Sequence, residues 1–120
     1  MKKNVLLLAL FLGAAGSGIV TPSARAQTAP QRIEITAQEF AFRPAELTVK
    51  AGQPVVLVLK SLDVGHGLRI RDLGVDIKIK AGETGEAKFT PTSTGDFIGH
   101  CSVFCGSGHG LMTFVLHVVA

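Results

Sequence analysis

The sequence predicts a single antiparallel β-sandwich of seven or eight short strands. Apolar and polar residues alternate with a period of two over runs of about four to eight residues. Glycine, proline and aspartate interrupt these runs at short spacing, and no long stretch has helical periodicity. Many short strands separated by frequent turns are typical of two packed sheets.

Each predicted strand has its own signal along the chain. Segments 33–36 and 46–50 alternate as half-buried strands do, whereas 55–60 is a continuous β-branched and aliphatic run expected of a central strand. Further strands are predicted at 68–70, 75–79, 86–90, 96–98 and 113–119. Turn signals at 51–54, 81–83 and 93–95 separate several of them.

The N-terminal residues 1–26 read as an export signal. Lys2 and Lys3 precede an apolar run from residue 5 to residue 20, and Ala24-Arg25-Ala26 is a small-x-small cleavage site. The run is shorter than the roughly 20 residues that span a bilayer as a helix. We therefore expect cleavage after Ala26 and a periplasmic or otherwise exported product; the alternative is a signal retained as a membrane anchor.

The remaining chain is predicted to form one domain. Residues 27–32 read as a flexible lead, and residues 33–120 as the sandwich. The whole chain has 12 Lys+Arg and 9 Asp+Glu; removing Lys2, Lys3 and Arg25 leaves 12 − 3 = 9 basic residues and a formal net charge of zero. Without a basic cluster there is no nucleic-acid surface, and we expect a monomer.

Five side chains suited to soft-metal binding occur in two segments. Cys101, Cys105, His109 and Met112 fall within twelve residues, and His66 lies 35 residues before Cys101. Thiolate, imidazole and thioether groups are ligands that copper prefers. Because loops at one end of a sandwich are adjacent in space, these two segments can share one site.

Several interpretations of this set stay open at the level of the residues. A Cys101–Cys105 disulfide would close a very small loop and gain little, and it leaves the histidines unexplained. Structural zinc uses Cys2His2 sets but not a thioether. A mononuclear blue-copper site would use one cysteine and leave the other free. A copper pair bridged by both thiolates uses every donor.

The motif Cys101-Ser-x-x-Cys105-Gly-x-x-His109-x-x-Met112, with Asp63-Val-x-His66 upstream, resembles the copper A (CuA) domain of cytochrome c oxidase subunit II. The similarity covers residues 45–119. It implies a cupredoxin-like Greek-key β-sandwich holding two copper ions in one binuclear centre. Carried over by residue, it makes Cys101 and Cys105 bridging thiolates and His66 and His109 imidazole ligands. The remaining ligands would be the Met112 thioether and the Val103 carbonyl.

The chain also departs from that family. Subunit II begins with two membrane-spanning helices, usually has glutamate where Val103 stands, and has a tryptophan-rich electron-entry patch. This chain has only an export signal, has Val103, and contains no tryptophan. Val103 retains a carbonyl but not the carboxylate that holds magnesium in the family. The resemblance therefore implies a free-standing exported domain that transfers one electron at a time.

The predicted partner is a c-type cytochrome or another redox protein, as the resemblance implies. No catalytic constellation is present in the sequence, and five bound ligands leave no open position for a substrate, so we predict neither enzyme activity nor a small-molecule substrate. Alternatives are a periplasmic copper carrier or assembly protein, a mononuclear blue-copper electron carrier, and a bound subunit of a respiratory complex.

Residues beside the ligands have expected roles of their own. Asp63 is expected either to orient His66, as a hydrogen-bond acceptor does for most metal-binding histidines, or simply to form a turn. Phe104 is expected to pack against the site and keep water from the metal; the alternative is an electron-entry contact. His100 and His117 are expected to lie outside the site.

Overall fold

The computed structural model describes residue 13, residues 15–21 and residues 29–120 of the chain. Most of the predicted export signal, including its cleavage site, lies outside the described residues. Among the residues that are described, none belongs to a helix with the length and apolar character needed to cross a membrane.

Two sheets form the described part of the chain, which confirms the predicted all-β sandwich. One sheet has the strand order β2-β1-β4-β7 and the other β3-β9-β8-β5-β6. The nine strands are β1 (Gln31–Gln38), β2 (Ala41–Arg43), β3 (Glu46–Lys50), β4 (Val55–Ser61), β5 (His66–Ile70), β6 (Val75–Ile79), β7 (Thr84–Phe89), β8 (Gly95–His100) and β9 (Thr113–Val119).

The sheets differ from the predicted arrangement in two respects. The short strand β2 was not predicted, since three residues are too few to show alternation. The sheets are also mixed, because β1 runs parallel to β4 and β3 runs parallel to β9. The chain leaves the first sheet at β3 and returns at β4, so β4 runs in the same direction as β1.

The core lies between the sheets and is built from the inward residues of each strand. In β6 the residues alternate strictly between buried and exposed, and in β4 only Lys60 is exposed. Phe42 and Phe114 meet edge to face at the centre, with ring centroids 6.3 Å apart. This packing fixes the strands whose ends carry the site.

Candidate metal centre

Two connections at one end of the sandwich carry the predicted ligands. The first is the short link from β4 to β5, after which His66 opens β5 rather than lying in a loop. The second is the segment 101–112 between β8 and β9, which we call the ligand loop. Because His100 pairs with Thr113 across β8 and β9, the sheet clamps both ends of the ligand loop.

Two free thiols lie at the centre of the site. The Sγ atoms of Cys101 and Cys105 are 3.7 Å apart, and each cysteine is 5% exposed. His66 places Nδ1 3.9 Å from Cys101 Sγ, and His109 places Nδ1 3.6 Å from Cys105 Sγ. Each thiol therefore has an imidazole nitrogen of its own.

Each thiol also has a third donor. The Val103 carbonyl oxygen is 3.2 Å from Cys101 Sγ, and the Met112 thioether sulfur is 3.8 Å from Cys105 Sγ. Met112 is 1% exposed, so its sulfur faces the site rather than solvent. The structure thus brings all six predicted residues together, in two halves of three donors.

The tightest group in the site comprises His66, Cys101 and Cys105, whose donor atoms all lie within 4.8 Å of one another. Thiols, imidazoles and a thioether match the softness of copper, and the thioether distinguishes the set from structural zinc sites. The donor chemistry therefore fits copper.

Asp63 fixes the orientation of His66, which is one of the two roles expected from the sequence. Its carboxylate oxygen Oδ1 lies 2.6 Å from His66 Nε2 and accepts from the Val64 N–H at 2.7 Å. Its other oxygen accepts from the Glu39 N–H at 2.7 Å. With Nε2 held at the carboxylate, Nδ1 is turned toward Cys101.

The same contacts keep the Asp63 carboxylate ionised. Burial by itself raises the pKa of Asp63, but the hydrogen bonds from Glu39, His66 and Val64 outweigh burial and leave the pKa below its usual value. A negative charge at Nε2 also increases the basicity of the imidazole, which strengthens it as a ligand.

The cysteine of the other half is protonated when no cation is bound. Burial, followed by the hydrogen bond and the charge of Cys101, raises the pKa of Cys105 to about 11. Metal binding requires the thiolate, so a bound cation has to displace this proton.

Gly67 allows the ligand loop to cross β5 at close range. A Cβ atom at this position would lie 2.1 Å from Ser102 Oγ and 3.2 Å from a methyl carbon of Val103. No side chain fits in that space. The absence of a side chain next to His66 therefore lets the Cys101 half of the loop approach the strand.

Phe104 lies on the surface, so the prediction that it packs against the site is wrong. Its side chain is 79% exposed, while its ring centroid lies 5.6 Å from that of His109. Leu111, in the same loop, is 84% exposed. The tight turns of the loop direct these apolar side chains outward, and they give the His109 side of the site an apolar rim.

A charged cleft adjoins the Cys101 side of the site. It has a volume of about 630 Å³. Its walls are formed by Arg69, Arg71, Asp72, Asp96, Ile98, His100, Cys101 and Ser102. His100 is exposed there, outside the donor set as expected. His117 also lies apart from the site, bonded to Asp96 at 2.6 Å.

Sequence reasoning missed the contribution of the turn between β1 and β2. Glu39 supplies the main-chain N–H that holds Asp63, and Phe40 lies against the ligand loop next to Gly106 and Gly108. Glycines alternating through the loop signal the close approach of another group. They do not identify the group, because Phe40 is distant in sequence.

This geometry defines the class of protein, and comparison with known families agrees. The chain matches the cupredoxin-like domain family over residues 5–113 and belongs to that family. Within it, the chain is related to the soluble domain of cytochrome c oxidase subunit II. It is 28% identical over 85 residues to cytochrome c oxidase subunit 2 of Thermus thermophilus, covering 69% of this chain and 63% of that protein. It therefore spans less than two thirds of this relative.

Solved structures share the fold. The periplasmic domain of subunit II of cytochrome oxidase from Bradyrhizobium japonicum superposes with a TM-score of 0.69 at 23% identity, covering 78% of this chain and 86% of that one. Auracyanin A, a blue copper protein from Chloroflexus aurantiacus, superposes with a TM-score of 0.62 at 24% identity, covering 76% of this chain and all of the other (100%).

Proposed function

We propose that this protein is an electron carrier that holds two copper ions in one binuclear centre. The observation that carries the proposal is the doubling of the donor set. Two thiol sulfurs lie 3.7 Å apart, and each has its own imidazole nitrogen and its own third donor. A mononuclear site would leave one of these halves without a purpose.

The six residues take distinct roles in this proposal. Cys101 and Cys105 are the bridging thiolates, His66 and His109 supply one nitrogen each, and the Met112 sulfur and Val103 oxygen complete the two halves. Copper bound there would supply the ability to gain and lose one electron.

The protein contributes rigidity and exclusion of water. His66 and Met112 are almost completely buried, and the carboxylate of Asp63 holds the His66 ring in place. A donor set fixed in this way rearranges little when charge moves, which suits electron transfer between proteins better than catalysis on a bound substrate. With all donors engaged, no ligand position is left open.

Copper stoichiometry and paramagnetic resonance of the oxidised protein test the proposal. We expect two coppers per chain and the seven-line pattern of one unpaired electron shared by two copper nuclei. One copper and a four-line pattern would instead establish a mononuclear site. Rapid loss of weakly coloured copper to a chelator would identify a copper carrier.

Substitution of Cys101 tests whether the site is binuclear. Cys101→Ser removes one bridging sulfur, so the seven-line signal should disappear and the stoichiometry should fall below two. Ser102→Ala is the matched control in the same loop, since Ser102 contacts Asp76 and not the donors. If Cys101→Ser leaves the spectrum unchanged, Cys101 is not a bridging ligand.

The partner in this proposal is a c-type cytochrome or another redox protein that docks on the apolar rim formed by Phe104 and Leu111. Both side chains are more than three-quarters exposed, and the His109 ring lies directly beside Phe104. We place the protein in the periplasm as an exported chain cleaved after Ala26, with residues 33–120 as its domain. N-terminal sequencing and fractionation of the cell envelope test this location.

A further inference from the structure

We propose that Phe40, in the β1–β2 turn, is a positioning residue that holds the ligand loop at a fixed distance from the end of the sandwich. The inference rests on the proposed function only in its consequence for copper. The contact itself belongs to the metal-free protein. Its basis is the packing of one aromatic ring against the backbone of the loop between Cys105 and His109.

The Phe40 ring occupies the space that side chains at two loop glycines would need. A Cβ atom on Gly108 would lie 2.4 Å and 2.5 Å from ring carbons of Phe40, and one on Gly106 would lie 2.9 Å away. Contacts below 3.0 Å essentially do not occur for real Cβ atoms. The ring therefore lies flat against bare backbone.

The two glycines differ in backbone conformation. Gly106 has φ of 133°, so glycine is required there whatever its neighbours. Gly108 has φ of −89° and ψ of 8°, a conformation that residues with side chains adopt in type I turns. At Gly108 the three atoms nearest to an added Cβ all belong to the Phe40 ring.

The same turn also supports the other half of the site. The Glu39 N–H, one residue before Phe40, donates to Asp63, and Asp63 holds His66. The β1–β2 turn thus contacts both Asp63, which holds His66, and the loop backbone between Cys105 and His109. We infer that it fixes the separation of the two halves, which sets how tightly copper is held and how little the site rearranges.

Double substitution at Gly108 and Phe40 tests this inference. Gly108→Ala should displace the loop, and Phe40→Ala should leave it unsupported. The readout in the metal-free protein is the rate at which a water-soluble aromatic disulfide modifies Cys101 and Cys105. We expect each single variant to react about tenfold faster than wild type.

The combined variant decides between coupled and independent effects. Removing the ring removes the three atoms that lie nearest to an added methyl group on Gly108. The double variant should therefore react no faster than Phe40→Ala alone. If the two fold-changes multiply instead, Gly108 does not act through Phe40 and the inference is wrong.

Matched controls separate a local role from a general loss of stability. Gly110→Ala lies in the same loop, and in the described part of the chain its added Cβ meets no atom within 4 Å; it should stay within about twofold of wild type. Phe89→Ala removes another partly buried phenylalanine, one that pairs with Val55 at the start of β4 and so lies at the far end of the sandwich. Phe40→Tyr should restore slow modification. Equal rates for Phe40→Ala and Phe89→Ala would overturn the inference.

Copper-loaded protein provides the second readout. Phe40→Ala should lose copper to a chelator about tenfold faster than Phe89→Ala and should show an altered paramagnetic spectrum. If wild-type protein binds no copper, the proposed function is wrong, while the thiol measurement still tests the positioning role of Phe40. If copper binds but Phe40→Ala and Gly108→Ala match wild type in thiol reactivity, only the positioning role of Phe40 is wrong.

Discussion

The two halves of the candidate metal centre share a thiol and an imidazole but are supported differently. The Cys101 half takes its imidazole from His66, which is completely buried at the start of a strand and held by Asp63. The Cys105 half takes its imidazole from His109, which is partly exposed in a single 3₁₀ turn beside Phe104. One half is anchored in the sheet, and the other faces the surface.

In the proposed electron carrier, this difference assigns two tasks to different halves: one half keeps the donors in place, and the other gives a partner access to the site. The anchored half keeps its geometry because sheet hydrogen bonds and burial oppose movement. The surface half brings a ligand ring close to the outside, where a protein partner can approach it. In the proposed electron carrier, a rigid interior half and an accessible outer half would together allow electron transfer without opening the site.

Removing each imidazole in turn is expected to show the largest difference between the two halves. In metal-free protein we expect His66→Ala to lower the free energy of unfolding by about 2–4 kcal/mol, because it leaves a cavity and removes one of the hydrogen bonds to the Asp63 carboxylate. His109→Ala removes a partly exposed ring and should lower it by about 0.5 kcal/mol or less. Both variants should lose the seven-line signal.

Denaturant unfolding followed by far-ultraviolet circular dichroism measures these values, since the chain has no tryptophan or tyrosine to report by fluorescence. His100→Ala is the control, because His100 is exposed and lies outside the donor set. Equal destabilisation by His66→Ala and His109→Ala would show that the halves are not anchored differently.

A smaller effect is expected from the support of the anchored half. Asp63→Asn retains an oxygen acceptor but loses the charge that holds the His66 Nε2–H, so copper affinity should fall about 10–100-fold. The matched control is Asp72→Asn, for which the described residues contain no side-chain hydrogen bond or ion pair. Competition with a chelator of known affinity provides the measurement. A similar loss in both variants would contradict the role of Asp63.

Most of the fold could be predicted from the sequence because the strands that form the core show their period directly. The continuous run of β4 and the alternation of β6 correspond to burial in the structure. The parallel pairing of β1 with β4 could not be predicted, since it depends on the chain crossing between sheets. The short β2 carries too few residues to show a pattern.

The candidate site was predictable to the level of its donors but not of its supports. Ligand chemistry is local, and four of the donor side chains lie within the twelve residues from Cys101 to Met112. The contacts of Glu39 with Asp63 and of Phe40 with Gly108 join segments that only the tertiary fold brings together. Phe104 was misjudged because an apolar residue in a metal loop is equally consistent with packing and with exposure.

The surface half should differ from the anchored half in a variant that changes no ligand. Phe104→Ala should leave the free energy of unfolding within about 0.5 kcal/mol of wild type, since the side chain is largely exposed. Electron exchange with a c-type cytochrome should slow about tenfold if Phe104 is an anchor of the docking surface. Stopped-flow mixing measures the rate. Ile98→Ala, at an exposed apolar residue of the Cys101-side cleft, is the control, and equal slowing in both variants would reject the apolar rim as the docking surface.

The smallest expected effect lies away from both halves, on the outer face of the second sheet. His117 on β9 contacts Asp96 of β8 at 2.6 Å and Glu46 of β3 at 3.5 Å. The hydrogen bond that the His117 ring donates to Asp96, together with the charges of Asp96 and Glu46, outweighs the opposing effect of burial and raises the pKa of His117. The protonated ring therefore favours the folded state.

The sign of the pH dependence follows from that direction. Because the pKa in the folded state is above the unfolded value of about 6.5, the stabilisation is fully present below about pH 6.5 and is lost as the pH rises through the folded pKa. The difference in unfolding midpoint between wild type and His117→Gln should thus be largest at acidic pH and should shrink toward alkaline pH. Metal-free samples are used so that pH-dependent metal binding does not contribute to the unfolding midpoint. A difference that grows with pH would mean that the ion pairs of His117 do not stabilise this sheet.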